Sequence, residues 1–587
     1  MRGMRVLPVL NALSIFLANG DPSGEARAMR SLDMQGFLRV TSFEWTGGRA
    51  VAWGCPEQLQ VEHCVVRTPR GAACCVGPLW FRGHFGRPAL AVLLDEVHAT
   101  GRLEENALRG NFALFLHTDE HTWLLNDALG FVRIHASADG CFFSTSWLAA
   151  CAYLPQVQLD TASAVEYVLL GAAHSRHSVA RDVSLVPLGQ GQDLRRRSTW
   201  QRFPDGFGSG IPEFDSLDEA AATIAEHLRV VSKELTSAFP DRINAALSGG
   251  FDSRLIVAGL LAAGTRPQLF VYGDPGSADV VIAKTVAGAT GIPLAAIDKG
   301  VLNRGLSAPD IESLAQSALF FDGLPSDGID DPGADRQTRL QQTANGSIAL
   351  NGGGGEIFRN FFHLPDRDFS ALDIVRAFYR GFSAGIFRDP DGLARYEARL
   401  ATSICDIAGI SGGDGERLTR KQVELLYPLF RCHFWMGLNN SVGVRHGYYA
   451  TPLVDLESVR MALRVPLRWK NAGTLQSRLI TALHPEIAAQ YSAYGFRFDV
   501  GPDWKAWLAE WATCARPVSL RPLINATRRR LRKARVAPAA LQRYRATLPG
   551  EWRMDSLLDL GQLPDDRALG RALAVEVVWR RIFQGDR

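Results

Sequence analysis

The chain has 587 residues, 47% hydrophobic and 21% charged, with a formal net charge of +3. That length supports two or more domains with full cores, and the balanced composition excludes a disordered chain and a generalised polyanion binder. Nine cysteines, at positions 55, 64, 74, 75, 141, 151, 405, 432 and 514, include no Cys-x-x-Cys pair. Neither a disulfide framework nor a zinc site is expected, and a cytoplasmic location fits.

The chain opens Met1-Arg2-Gly3-Met4-Arg5, followed by an apolar stretch from Val6 to Ala18. This has the pattern of a short secretion signal but is too short to span a bilayer. It reads better as the first strand and turn of a folded domain, and no membrane partner is expected. Phe112 to Leu116 and Trp123 to Leu125 are two apolar runs with Glu120 and His121 in the turn between them, a hairpin pattern. Cys141 to Ser146 reads as a strand, Trp147 to Tyr153 as a short helix and Val183 to Gly189 as a further strand. The content predicts an antiparallel sheet layered with helices over residues 1–200.

In order and spacing these pieces resemble the glutaminase domain of class II amidotransferases, an Ntn-type α+β sandwich. Gly110-Asn111-Phe112-Ala113 is similar to that family's Gly-x-Phe-Ala strand, and Asn126-Asp127-Ala128-Leu129-Gly130 to its Asp-x-x-Gly turn. The family's chain begins Met-Cys-Gly-Ile, and its nucleophile needs a thiol beside a free α-amine. Met1-Arg2-Gly3-Met4 departs from that start, so the resemblance implies a domain that does not hydrolyse glutamine and serves as a scaffold or docking surface.

An arginine-rich stretch and Pro204-Asp205-Gly206-Phe207-Gly208-Ser209-Gly210 mark a boundary between Arg195 and Ser216. A second domain is expected over residues 215–587. Leu217 to Ser237 reads as an amphipathic helix, Ile243 to Leu247 as a buried strand and Arg254 to Ala263 as a helix. Between strand and helix lie Ser248-Gly249-Gly250-Phe251-Asp252-Ser253. Strand, glycine turn and helix present backbone N–H groups to an anion, and the glycines allow close approach. Asp252 would repel a bare phosphate, which argues for Mg²⁺ between carboxylate and phosphates. The Walker A spacing and lysine are absent.

Further on, Gln268 to Tyr272 is a second apolar run, Ser277-Ala278-Asp279 opens a helix through Ala289, and Gly291-Ile292-Pro293 leads to another strand. Alternating strand and helix predict a doubly wound α/β parallel sheet with ligands at the strands' carboxyl ends. A third run, Ser347 to Leu350, opens into Asn351-Gly352-Gly353-Gly354-Gly355-Glu356. Four successive glycines are costly unless the backbone must sit close to something. Residues 420–500 read as helices joined by short loops, and Arg528 to Arg535 as a solvated basic helix face rather than a nucleic-acid patch.

The Ser-Gly-Gly-x-Asp-Ser loop resembles that of the N-type ATP pyrophosphatases, and the second glycine loop is similar to the Ser-Gly-x-Gly-Ala-Asp-Glu loop of asparagine synthetases. The resemblance implies ATP binding by Leu247, Ser248, Gly249, Gly250, Asp252, Ser253, Val271, Tyr272, Gly273, Asn351, Gly352 and Gly353, with Mg²⁺ on Asp252 and Glu356. Tyr448-Tyr449-Ala450-Thr451-Pro452-Leu453-Val454-Asp455 is similar to the family's Glu-x-Arg-x-Pro-Phe-Leu-Asp segment at its Pro-Leu-Val-Asp end, with Tyr448 and Ala450 replacing Glu and Arg. Tyr448, Arg445 and His446 become candidates for substrate contact or proton transfer, and Lys470 and Arg478 the nearest cations to the family's pyrophosphate lysine. The acidic residue or tyrosine that the relatives carry between the glycines is absent at Gly352 and Gly353. The pattern looks most like a lasso-peptide macrolactam cyclase, which implies a precursor peptide as substrate, with its leader peptidase and a leader-binding protein as partners. A free-ammonia amidotransferase or β-lactam synthetase-like ligase on a small molecule, and a non-catalytic nucleotide-binding scaffold, are the rival readings.

Overall fold

The computed structural model describes residues 10–55, 64–203, 206–208, 210–304, 308–410, 416–531 and 536–584. Met1 to Arg5, the first part of the Val6–Ala18 stretch, Pro204, Asp205, Ser209 and the end of the basic run at residues 532–535 lie outside these.

Two-residue alternation builds the first half. The strand Ala12–Leu17 sends Leu13, Ile15 and Leu17 to one side and Ala12 and Phe16 to the other, and both sides are buried. It lies in a six-stranded sheet ordered Val183–Leu185, His135–Ser137, Phe142–Ser144, Ala12–Leu17, Gly48–Gly54, Leu38–Trp45. A second six-stranded sheet runs Ser198–Gln201, Gln190–Asp193, Thr122–Asn126, Ala113–Thr118, Gly71–Val76, Val65–Thr68. Every pairing in the two is antiparallel. Leu13, Ile15, Cys74, Phe115 and Leu124 fill the space between the sheets. The helix Pro22–Met34 covers the first sheet, burying Ala28 and Leu32, and the helix Arg87–Thr100 covers the second with Leu90, Leu93, Leu94 and Val97. The result is a helix–sheet–sheet–helix sandwich.

The expected hairpin is present, with His117 opposite Thr122. Within the stretch from Arg195 to Ser216, Ser198–Gln201 pairs with Gln190–Asp193 at the edge of the second sheet.

Ser216 caps the helix Leu217–Ala238 by accepting from the Glu219 N–H at 3.1 Å. The five strands that follow are all parallel, in the order Leu294–Ile297, Gln268–Tyr272, Ile243–Ala246, Ile348–Leu350, Tyr448–Ala450. The order reverses between Ile243–Ala246 and Ile348–Leu350, and the two glycine loops leave the carboxyl ends of these two neighbours. The fifth strand corrects the helical reading of residues 420–500. Three residues, Tyr448–Ala450, carry too little pattern to declare a strand and are recruited by pairing with Ile348–Leu350.

The two halves are tied by specific bonds. Asp322 accepts from the Trp147 and Leu148 N–H groups at 2.6 and 3.2 Å, capping a helix of the first half from the second. Asn111 accepts from the Thr451 N–H at 2.6 Å. Among the described residues no helix is long and apolar enough to cross a membrane.

Candidate functional site

The helix Phe251–Ala262 starts immediately after Gly250 with no side-chain cap, so its first N–H groups lack the usual partner. The loop before it is held by its own hydroxyls. Ser253 Oγ accepts from the Ser248 N–H at 3.0 Å and lies 2.8 Å from Ser248 Oγ. The Gly249 N–H already donates to a carboxylate, Asp279 Oδ1, at 3.0 Å. The Gly249 amide therefore already has a carboxylate partner within the chain.

Asp252 and Glu356 come from different loops and meet at one guanidinium. Arg359 Nη2 is 3.0 Å from Glu356 Oε1 and 3.8 Å from Asp252 Oδ2. Gln476 Nε2 donates to Asp252 Oδ1 at 2.8 Å and to the Gly355 carbonyl at 2.7 Å, locking one loop to the other. The Tyr427 hydroxyl and the Gly354 N–H donate to Glu356 Oε2. Burial, then the neighbouring Glu356 carboxylate, pushes Asp252 well above the usual carboxylate range. Burial also acts to raise Glu356, but the Arg359 guanidinium and the bonds from Asp252 and Tyr427 outweigh it and hold Glu356 low. The two carboxyls titrate as a coupled pair, in which burial and the Glu356 charge favour the neutral form of Asp252 and Arg359 favours the anionic form of Glu356.

The glycine loop approaches its neighbours most closely at its end. A β-carbon on Gly355 would stand 2.6 Å from Asp252 Oδ1, and one on Gly354 would stand 2.3 Å from Val454 Cγ2, where φ is also +102°. Gly352 and Gly353 have ordinary room, with nearest neighbours at 3.4 Å.

A cavity of about 290 Å³ opens beside the loops at the strands' carboxyl ends. Ala246, Phe270, Tyr272, Asn351 and Gly352 line one part and Arg339, Asn439 and Tyr449 another. Tyr272 is oriented by Gln342 Nε2, which donates to its hydroxyl at 2.6 Å, and by Lys299 Nζ, 4.3 Å from its ring centre. Arg339 donates to Asp335 Oδ2 at 2.8 Å and to Asn439 Oδ1 at 2.9 Å. A second cavity of about 210 Å³ shares Lys299, Asp335, Arg339 and Asn439 as its wall.

Of the residues expected to bind ATP, Tyr272, Asn351 and Gly352 line the first cavity, while Ser248, Gly249, Gly250 and Ser253 lie in the first loop and Asp252 and Glu356 meet at Arg359. Leu247 and Val271 are instead core residues, because alternation sends Phe270 and Tyr272 to the cavity and Leu269 and Val271 away from it. Gly273 donates its N–H to the Ile297 carbonyl and continues the sheet edge.

Arg445 and Tyr448 are not at the carboxylate pair. Tyr448 pairs with Ile348, at the amino end of the neighbouring strand, and its ring lies 5.6 Å from Phe85 and 4.9 Å from Phe239. Arg445 lies 3.4 Å from Asp322, bonds Gln35 and covers the Phe37 ring. Both hold the two halves together. His446 stacks on Phe320 at 3.8 Å, and burial pushes its imidazole down to about 3, so it is neutral. Lys470 is buried against Glu424, and Arg478 lies exposed on the helix Thr474–Leu483.

Sequence reasoning missed Arg359, Tyr427, Gln476 and Tyr449. Arg359 had a local signal, three residues after Glu356 and so one turn on. Tyr427 starts the π-helix Tyr427–Met436, a rare element that often marks function but has no pattern in sequence. Tyr449 is the alternate neighbour of Tyr448.

Two carboxylates fit Mg²⁺, which takes one or two protein carboxylates and completes its shell with substrate phosphates and water. Among the described residues no group of three or more His, Cys, Asp and Glu forms a metal cage. A divalent ion at the pair would favour the ionised form of Asp252.

No protein-family model matches the sequence, and no curated protein matches it. Among solved structures the chain is similar to glutamine phosphoribosylpyrophosphate (PRPP) amidotransferase from B. subtilis complexed with ADP and GMP. That likeness has 10% identity, covers 49% of this chain and 65% of that one, and has a TM-score of 0.21. A second similar structure is the allosteric regulatory enzyme of purine biosynthesis, at 12% identity, 49% and 64% coverage and a TM-score of 0.21. The chain spans just under two thirds of the length of each, and at that TM-score neither likeness bears on activity.

Proposed function

We propose that this chain is an ATP-dependent, AMP-forming carbon–nitrogen ligase. The observation that carries the reading is the meeting of Asp252 and Glu356 at Arg359, across two glycine loops that leave neighbouring parallel strands beside a cavity. In the first step a substrate carboxylate oxygen attacks the α-phosphorus of ATP and diphosphate leaves. In the second an amine attacks the activated carbonyl, the amide forms, AMP leaves and the amine's proton is released.

The uncapped first N–H groups of the helix Phe251–Ala262 would serve the departing diphosphate, with the Ser248 and Gly249 amides joining only after exchanging their bonds to Ser253 and Asp279. Asp252 and Glu356 would hold Mg²⁺, which neutralises phosphate charge when bound. Arg359 keeps the two carboxylates together in its absence, and Gln476 fixes the distance between the loops. The cavity beside Gly352 holds acyl and amine groups at close quarters, converting an encounter into a positioned reaction.

The substrate reading is ring closure of a lasso-type precursor peptide by its own amine, in a cytoplasmic pathway with a leader peptidase and a leader-binding protein. It rests on the resemblance of the loops and on the absence of a side chain at Gly352 and Gly353. The N-terminal sandwich is then an Ntn-type scaffold beside the ligase half.

The test incubates the purified chain with ATP, Mg²⁺ and peptides bearing a free amino terminus and an internal Asp or Glu. Equal amounts of AMP and diphosphate, with a peptide lighter by one water, are expected, and Asp252→Asn should abolish both. AMP formation with ammonia and a small acid but with no peptide would move the assignment to an amidotransferase. No AMP with either would leave a scaffold.

A further inference from the structure

A third cavity, of about 50 Å³, lies at the seam between the two halves. Arg133, His135 and Tyr167 line it from the first half, and Leu324, Leu438 and Val442 from the second. The turn at Asn126 to Gly130 delivers Arg133 there. The Asp127 carboxylate accepts from the Phe131 and Val132 N–H groups at 3.0 Å each, folding the turn tightly. The chain leaves it directly against the second half, where the Arg133 N–H donates to Ser441 Oγ at 2.9 Å. The exposed His177 also lines the cavity and places its mouth at the surface.

Arg133 is a buried cation without a counter-ion. It is 9% exposed, and among the described residues it forms no ion pair. The Asp322 carboxylate acts on it from further off. That carboxylate is already engaged, accepting from Ser146 Oγ and the Trp147 N–H at 2.6 Å each and lying 3.4 Å from Arg445. Arg133 Nη2 donates to the Phe434 carbonyl, while Nε has no partner. His135, 4% exposed, likewise has Nδ1 without a partner. Burial pulls the guanidinium down to about 10, so it stays charged at neutral pH, and pushes the imidazole down to about 3, so it stays neutral. A charge taken out of water and left unbalanced is costly. Arg133 and His135 are thus two buried groups with unused hydrogen-bonding capacity on one cavity wall.

We infer that the seam cavity binds a small aliphatic carboxylate, its head on Arg133 and His135 and its carbon end against Leu324, Leu438 and Val442. One negative charge balances one guanidinium, and a planar carboxylate matches the guanidinium fork. Water would hydrate the cation but leave its charge unbalanced, and chloride would leave the apolar wall uncovered. The volume has room for about four water-sized groups, which suits acetate or propionate and excludes a six-carbon acid. The site is separate from the cavity beside the glycine loops. The helix Gly437–Val444 presents Leu438, Ser441 and Val442 to the seam cavity and Asn439 and Gly443 to the other. A bound acid therefore touches both halves and one side of a helix whose other side walls the cavity assigned to the reaction.

The experiment follows the thermal melt of the full chain in sodium acetate, propionate, hexanoate or chloride at equal ionic strength. Acetate and propionate should raise the melting temperature above that in chloride, by about 2 °C or more at the highest concentration. Hexanoate should not. Arg133→Met removes the charge, keeps much of the volume and should abolish the rise. Its own melt in chloride should match or exceed that of wild type, because an unbalanced buried charge is gone. Ala173→Leu fills the cavity from its wall without touching Arg133, and should abolish the rise too, which keeps the test open if the arginine variant does not fold. Equal melts in acetate, propionate and chloride overturn the proposal. So does a rise in hexanoate as large as in acetate, or a rise that either folded variant retains, which would place the acid elsewhere. The melts need neither ATP nor Mg²⁺, so their outcome is independent of the ligase assay.

Discussion

Gly355 packs against Asp252 so closely that a β-carbon would stand 2.6 Å from the carboxylate oxygen. This contact sets the position of the carboxylate pair. Gly355→Ala should push Asp252 off Gln476 and lower AMP formation about a hundredfold, the scale of a 1 Å misplacement. Gly353→Ala, with 3.4 Å to its nearest neighbour, should leave the rate near wild type. Steady-state AMP formation by the two variants checks the contrast, and equal rates would refute it.

The raised Asp252 carboxyl would make divalent-ion binding pH-dependent. Asp252 is raised above the carboxylate range in the free protein and must ionise to bind a divalent ion, so MgATP binding should release a proton over the pH range in which Asp252 is protonated. Calorimetry in two buffers of different ionisation enthalpy should detect it, and Asp252→Asn should remove it. The same shift costs stability: the native state binds the extra proton, so stability falls as pH rises above the unfolded value of about 3.9. Asp252→Asn should therefore raise the melting temperature, by more at pH 8 than at pH 5.

Tyr427 acts on the pair through Glu356. Removing its hydroxyl in Tyr427→Phe takes one donor from Glu356 Oε2 and leaves the Gly354 N–H and Arg359. Magnesium affinity, read as the Mg²⁺ dependence of AMP formation, should fall about tenfold. An unchanged Mg²⁺ titration would show that the tyrosine only packs.

Adjacent tyrosines should separate. Tyr449 lines the cavity, with its hydroxyl accepting from Asn439 Nδ2 at 3.0 Å, while Tyr448 is buried between the two halves. Tyr449→Phe should raise the substrate KM several-fold at little cost in melting temperature. Tyr448→Ala should cost about 3 kcal/mol or more in stability, as expected for loss of a buried aromatic side chain. Urea melts and kinetics on the two variants distinguish the roles.

His227 and Asp455 form a buried pair, with Nε2 3.1 Å from each carboxylate oxygen. Burial acts to lower His227, but Asp455 overrides it and raises the imidazole; burial acts to raise Asp455, but His227 and the Ser458 bonds pull it far down. The Asp455 contribution is present above about pH 4 and lost on acidification. The His227 contribution is full below about 6.5 and lost as pH rises through its raised value. Asp455→Ala should lower stability by about 3 kcal/mol near pH 6 and by less at high pH. Denaturant midpoints across pH test the window.

Local pattern carried much of the fold. Gln268–Tyr272 and Trp147–Tyr153 lie where their apolar runs placed them, and Asp252 and Glu356 were readable because each follows glycines after an apolar run. Tyr448–Ala450 was not readable as a strand, because its partner Ile348–Leu350 lies about a hundred residues earlier and no three-residue window encodes that pairing. Arg445 looked chemical because it is charged beside histidine and tyrosine, yet its partners Gln35, Phe37 and Asp322 are far away in the chain.

By itself the sequence determined which backbone would turn sharply and which side chains would carry charge there, because glycine spacing and apolar period are local properties. Only the tertiary structure decided that Arg359, Gln476 and Tyr427 complete the carboxylate pair and that Val271 belongs to the core. Those outcomes depend on which element packs against which. Packing is a property of the whole chain, whose contacts join residues that no local window holds together.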